Sequence, residues 1–170
     1  IAERFNKKYG DTFKIPDAYI TKEGTKIMDL VTPLKKMSKS SDNPKGVIRI
    51  LDDVDAIRKK IMGATTDSEC VVRFDPEQKP GISNLINICV AITGKTILEI
   101  EEEFQGKNYG EFKKYVADIV VSEISGIQKR YYDIINSKEL DQILEDNIQI
   151  TREIAKNKFM LMKKKMGLYK

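Results

Sequence analysis

The chain has 170 residues, 41% of them hydrophobic and 33% charged, with a formal net charge of +4. No apolar run approaches the ~20 residues that a bilayer-spanning helix needs, and with no histidine and no Cys-x-x-Cys spacing, Cys70 and Cys89 do not make a zinc site. The charge is partitioned, with 11 basic and 6 acidic groups in residues 1–50, 12 and 19 in 51–150, and 7 and 1 in 151–170, so a polyanion is drawn to the two ends.

In chain order, residues 1–9 read as the end of a helix stopped by Gly10. The stretch 13–30 mixes Pro, Gly and short β-prone runs such as Ala18-Tyr19-Ile20, and reads as loop with short extended pieces. Next comes Lys36-Met37-Ser38-Lys39-Ser40, punctuated by Pro33 before it and by Asp42-Asn43-Pro44 and Gly46 after it. Two lysines with hydroxyls between and after them suit a mobile loop that closes over a triphosphate. Each ammonium can follow phosphate charge as it moves, and Ser38 and Ser40 can turn the backbone and donate hydrogen bonds. Residues 47–51 are a strand or the lead-in to one.

From Asp52 the pattern is helical: Val54, Ile57 and Ile61 recur on one face, acids lead, lysines follow, and Gly63 stops it. Residues 65–81 form a loop with a short extended piece near 71–74. Ser83 is expected to cap a helix that carries Leu85, Ile86, Cys89, Val90 and Ile92 and ends at Gly94, with Cys89 a small core residue. Thr96 and Glu99 form a capping box that opens a short helix ending at Gly106. Two long helices complete the chain. The first carries the stripe Phe112, Tyr115, Val116, Ile119, Val120, Ile127 and Ile134; the second, opened by Asn136 with Glu139, carries an inner stripe from Leu140 to Met166. Short connections predict antiparallel neighbours in a bundle.

The string at 36–40 resembles the second signature of the class I aminoacyl-tRNA synthetases. The wider run resembles the bacterial tryptophanyl enzymes of that family along essentially the whole chain: GTKIMDL at 24–30, then KKMSKS, TTDSE at 65–69 and KPGISNLINI at 79–88. One departure is Ser41-Asp42, where Asp-Pro is expected; Asn43-Pro44 is back in register. The fold this implies is mainly α: an antiparallel helical bundle of the anticodon-binding type, preceded by the KMSKS loop and a remnant of the α/β catalytic domain. Residues 1–44 are the expected remnant and 45–170 the helical tRNA- and anticodon-binding domain, whose last helix either serves RNA or docks on the nucleotide fold. A first, HIGH-like signature, a Gly-rich phosphate loop and a Gly-Glu-Asp-Gln stretch are missing, and the chain opens mid-helix. The expectation is therefore the C-terminal half of a longer enzyme, inactive alone.

What the resemblance implies chemically is activation of tryptophan by ATP, followed by charging of tRNA(Trp). The amino-acid carboxylate attacks the α-phosphorus and pyrophosphate leaves; Lys36 and Lys39 hold the β and γ phosphates and stabilise that charge. Ile27 falls where the family reads the adenine edge through main-chain groups, Met37 packs under the loop, and Ser38 and Ser40 complete the ATP-binding set. Mg²⁺ travels on the phosphates, and no residue is assigned to metal. Arg130, Arg152 and Lys156 are the nucleic-acid candidates, with Tyr109, Tyr131, Tyr132 and Lys158 beside them; each also reads as ordinary core or solvated surface. The remaining expectations are a cytoplasmic enzyme without membrane contact, a homodimer formed through the nucleotide fold, and a monomer for this portion. The alternatives are a portion of a tyrosyl enzyme, or a free-standing helical bundle that binds RNA or protein.

Overall fold

The structure, a computed structural model, describes residues 1–19 and 26–168, so Ile20 of the β-prone run at 18–20 lies outside the described residues. Among those described the chain is mainly α and has no strand: α1 is Ala2–Tyr9, α2 Val54–Met62, α3 Pro80–Thr93, α4 Ile97–Glu103, α5 Tyr109–Ile135 and α6 Glu139–Lys165, with a 3-10 turn at Pro44–Gly46. No single helix among the described residues is long and apolar enough to cross a membrane.

Backbone contacts group the chain into two compact units, Ile20–Tyr131 and Ile1–Tyr19 with Tyr132–Lys170. Within the larger unit, residues 27–37 pack with the helices that follow them. The core of the larger unit joins Leu30 to Ile57 and Ile61 of α2, Ile82, Leu85, Ile86 and Cys89 of α3, Ile100 of α4, and Phe112, Val116 and Val120 of α5. Full burial of each large aliphatic side chain contributes about 1.5–3 kcal/mol. The Phe104 and Phe112 rings add an edge contact at 4.9 Å.

Local signals explain most helix ends. Asp53 caps α2 by accepting from the amides of Asp55 and Ala56, and Gly63 closes it. Thr96 and Glu99 form both halves of the expected capping box on α4. Gly94 ends α3 in the left-handed region at φ 70°, which a side chain rarely adopts.

Four expectations need correction. α3 begins at Pro80, which sits in its first turn where the missing N–H costs nothing. Ser83 therefore lies inside the helix, and its hydroxyl accepts from the Asp75 amide at 2.8 Å. α4 ends at Glu103, three residues before Gly106. Asn136 does not open α6: its amide donates to the Tyr132 carbonyl, while Ser137 Oγ accepts from Glu139 N. Finally, the stripe on α6 is not an inner face within its unit, since α6 has no buried residue.

The smaller unit is organised around α1. The Asn6 side chain donates to the Phe13 carbonyl at 2.7 Å and accepts from the amides of Thr12 and Phe13. That folds the chain back after Gly10 and sets Phe13 edge-on to Phe5, with centroids 5.1 Å apart. Lys158 of α6 donates to the Thr12 carbonyl at 2.8 Å and lies over the Phe13 ring.

Candidate functional site

The KMSKS loop is built on a short antiparallel pairing. Met28 faces Lys36 across an isolated bridge, Asp29 N donates to Lys35 O at 2.8 Å, and Met37 N donates to Ile27 O at 3.0 Å. The connecting turn is held by Asp29, whose carboxylate accepts from the amides of Val31 and Thr32. Leu30 N in turn donates to Gly46 O, at the far end of the loop. A Cβ on Gly46 would lie 2.1 Å from the Asp29 carboxylate oxygens, so the loop closes only with glycine there. Within the motif, Ser38 Oγ and Ser40 Oγ are 3.0 Å apart and Ser41 N donates to Ser38 O, a tight turn made by the hydroxyl residues themselves.

Lys36 and Lys39 are exposed and form no ion pair with any described residue. Together with Ile27, Met37, Ile48 and Arg49 they line an open groove of about 700 Å³. Ile27, Met37 and Ile48 pack against the core, giving an apolar floor beneath cationic walls. That arrangement suits a flat base on the floor and phosphates between the lysines. The opposite bank is rigid: Gln128 of α5 donates to the carbonyls of Ile50 and Asp52, and Asp52 takes Lys60 Nζ and Arg49 N. Burial would raise the Asp52 carboxyl, but these bonds outweigh it and lower it below its ordinary value. Among the described residues no three His, Cys, Asp or Glu side chains gather to hold a metal ion.

The segments beneath the loop hold a second polar cluster. Lys79, 1% exposed, bonds Glu69 at 2.6 Å, Asp67 at 3.0 Å and the Tyr109 hydroxyl at 3.2 Å. Tyr109 Oη donates to Asp67 at 2.7 Å. Burial alone would lower the Lys79 ammonium; its bonds to Glu69, Asp67 and Tyr109 raise it instead, and bonds from Tyr109 and Lys79 overcome burial to bring Asp67 down to about 2. The cluster staples the 65–74 loop to α3 and α5. Thr65 then donates to the carbonyls of Leu30 and Val31, and a Cβ on Gly81 would strike Thr65 O at 1.9 Å.

Of the expected site residues, Ile27, Lys36, Met37 and Lys39 line one groove, and Ser38 and Ser40 make the turn beside it. Arg130 is exposed on α5 in the larger unit; Arg152 and Lys156 are exposed one turn apart on α6 in the smaller one. Tyr109 is core, which removes it as a base-stacking surface, and Lys158 is engaged by Thr12. Cys89 is buried, its thiol pushed up to about 12 by desolvation, whereas Cys70 is exposed. Sequence reasoning missed the roles of Asp67, Lys79, Gly81 and Asn84. The available signal was polar residues interrupting the apolar run of α3.

A family model described as class I tRNA synthetases (W and Y) matches residues 1–124. The chain is 48% identical over 168 residues to the tryptophan–tRNA ligase of Bacillus subtilis and 50% identical over 169 residues to that of Malacoplasma penetrans. It covers 99% of itself and about half of each relative, 51% and 50%. Among solved structures, tryptophanyl-tRNA synthetase of Mycoplasma pneumoniae superposes with a TM-score of 0.87 at 30% identity, covering 99% of this chain and 51% of that one. The chain therefore spans about half the length of the relatives it matches, and it belongs to the class I tRNA synthetase family of the W and Y branch.

Proposed function

We propose that the chain serves tryptophan–tRNA ligation, supplying the loop that grips the phosphates of ATP and a helical surface for tRNA(Trp). On this reading residues 1–44 belong functionally to the catalytic domain and 45–170 to tRNA binding. The observation that carries it is the pair Lys36 and Lys39, exposed and without an ion-pair partner among the described residues, above a groove floored by Ile27, Met37 and Ile48. The relatives named above add tryptophan as the amino acid.

In this reaction the tryptophan carboxylate attacks the α-phosphorus of ATP, and negative charge builds on the departing pyrophosphate. Ammonium groups that meet this charge more closely in the transition state than in the ground state raise turnover. Each such contact is worth on the order of 3 kcal/mol, roughly a hundredfold in rate. Mg²⁺ supplies further charge neutralisation from the phosphates. The adenine is read by main-chain groups at Ile27, and Met37 fills the space beneath the loop. Arg130, Arg152 and Lys156 contribute cations to the RNA surface. The enzyme so formed is a cytoplasmic homodimer.

The test is tryptophan-dependent ATP–pyrophosphate exchange by this chain together with the half of its relatives' length that it does not span. Lys39→Ala is expected to slow exchange about a hundredfold, and the 170-residue chain alone to show none. Exchange at an undiminished rate in the variant, or exchange by the chain alone, would overturn the reading. A gel shift with tRNA(Trp) tests the RNA half: removing Arg152 should weaken binding and reduce its salt dependence by about one counterion.

A further inference from the structure

Asn84 lies in the middle of α3, 2% exposed, among Leu85, Ile86 and other core residues. A carboxamide there is costly unless every polar atom is bonded. Both halves are: Oδ1 accepts from Met28 N at 2.7 Å and Nδ2 donates to Met28 O at 2.8 Å. Met28 is the residue opposite Lys36, and the pairing around it runs through its neighbours, Ile27 O with Met37 N and Asp29 N with Lys35 O. In an antiparallel pair of this kind the central residue turns its own N–H and C=O outward, to where a third strand would lie. Asn84 occupies that place. One side chain thus imitates a neighbouring strand at a single residue.

We infer that Asn84 is a positioning residue for the ATP loop, locking the register in which Met28 faces Lys36. Register matters here because a slip by one residue sends every side chain of a strand to its opposite face. Only alternate residues offer an outward N–H and C=O, so any slip that turned residues 27–29 over would break both bonds to Asn84. With the register held, Ile27, Lys36 and Met37 all line the groove. Without it, the same residues would still be tethered by the turn at Asp29 but would face a mixture of directions. The inference rests on the functional reading above and assigns to α3 a part in it that no lysine of the motif supplies.

The experiment pairs Asn84→Leu, similar in size but unable to bond, with Asn84→Asp, which keeps the acceptor for Met28 N and removes the donor to Met28 O. Amide hydrogen exchange on the 170-residue chain should show Met28 and Met37 losing protection, about tenfold or more, while α5 keeps its own. In the pyrophosphate-exchange assay the KM for ATP should rise about tenfold with the KM for tryptophan unchanged. A role confined to folding would lower kcat alone, through a smaller active fraction. Unchanged protection at Met28 and Met37, or an unchanged KM for ATP in both variants with Lys39→Ala still slowed about a hundredfold, would overturn the inference and leave the functional reading standing. Full activity of Lys39→Ala would remove the functional reading itself, and this one with it.

Discussion

α3 buries nine of its 14 residues, whereas α6, 27 residues long with an apolar stripe of its own, buries none. The difference is not one of helical periodicity, which both sequences show. α3 is apolar nearly all round, so it is stable only when enclosed, and its polar exceptions Ser83 and Asn84 are enclosed with partners. α6 is polar on balance and carries its isoleucines and leucines on one side, where an exposed strip is tolerated. A period thus identifies which residues share a face, and only the surroundings decide whether that face is covered.

This contrast can be broken or sharpened by substitution. Phe112→Ala, at the point where α5 meets α4, should cost about 4 kcal/mol in chemical denaturation. A loss below 1 kcal/mol would mean that the core is not where the packing puts it. Lys79→Met should follow at about 3 kcal/mol, since it leaves Asp67 and Tyr109 without their cation in a largely enclosed site. A neutral outcome would assign that cluster no part in holding α3.

Acid provides a third probe. Asp67 is depressed from 3.8 to about 2, so the folded state binds a proton less readily than the unfolded one. Its contribution is present above the unfolded value and is lost as pH falls through the folded one. Denaturation midpoints should therefore drop between about pH 5 and pH 2, by roughly 2 kcal/mol in stability from this group, and Asp67→Asn should remove that part of the pH dependence. The smallest effect is expected on α6, where Ile148→Ala should change stability by less than about 0.5 kcal/mol. A penalty of core size would show that this stripe, 43% exposed at Ile148, is covered in solution.

Read from the chain alone, the helices were legible wherever the cause was local. The Thr96–Glu99 pair, Gly63 and Gly94 act within one turn of their own position, and each marks its helix end as expected. The start of α3 was misplaced because Ser83 was free to cap in sequence but is taken by Asp75 in space. The KMSKS string reads as a loop between turn residues, and its lysines share a groove with Ile27 and Met37. Nothing nearby in sequence pointed to the residues that hold that groove open.

What the sequence by itself determined is the set of helices and those of their ends that a local cap or glycine marks, since these depend on spacing, propensity and turn chemistry over a few residues. Tertiary structure alone decided that Asn84 would clamp Met28, 56 residues away, and that Tyr109 would serve Asp67, 42 residues away. A buried polar group is tolerable only beside its partner, and such partners meet only when the chain has closed on itself.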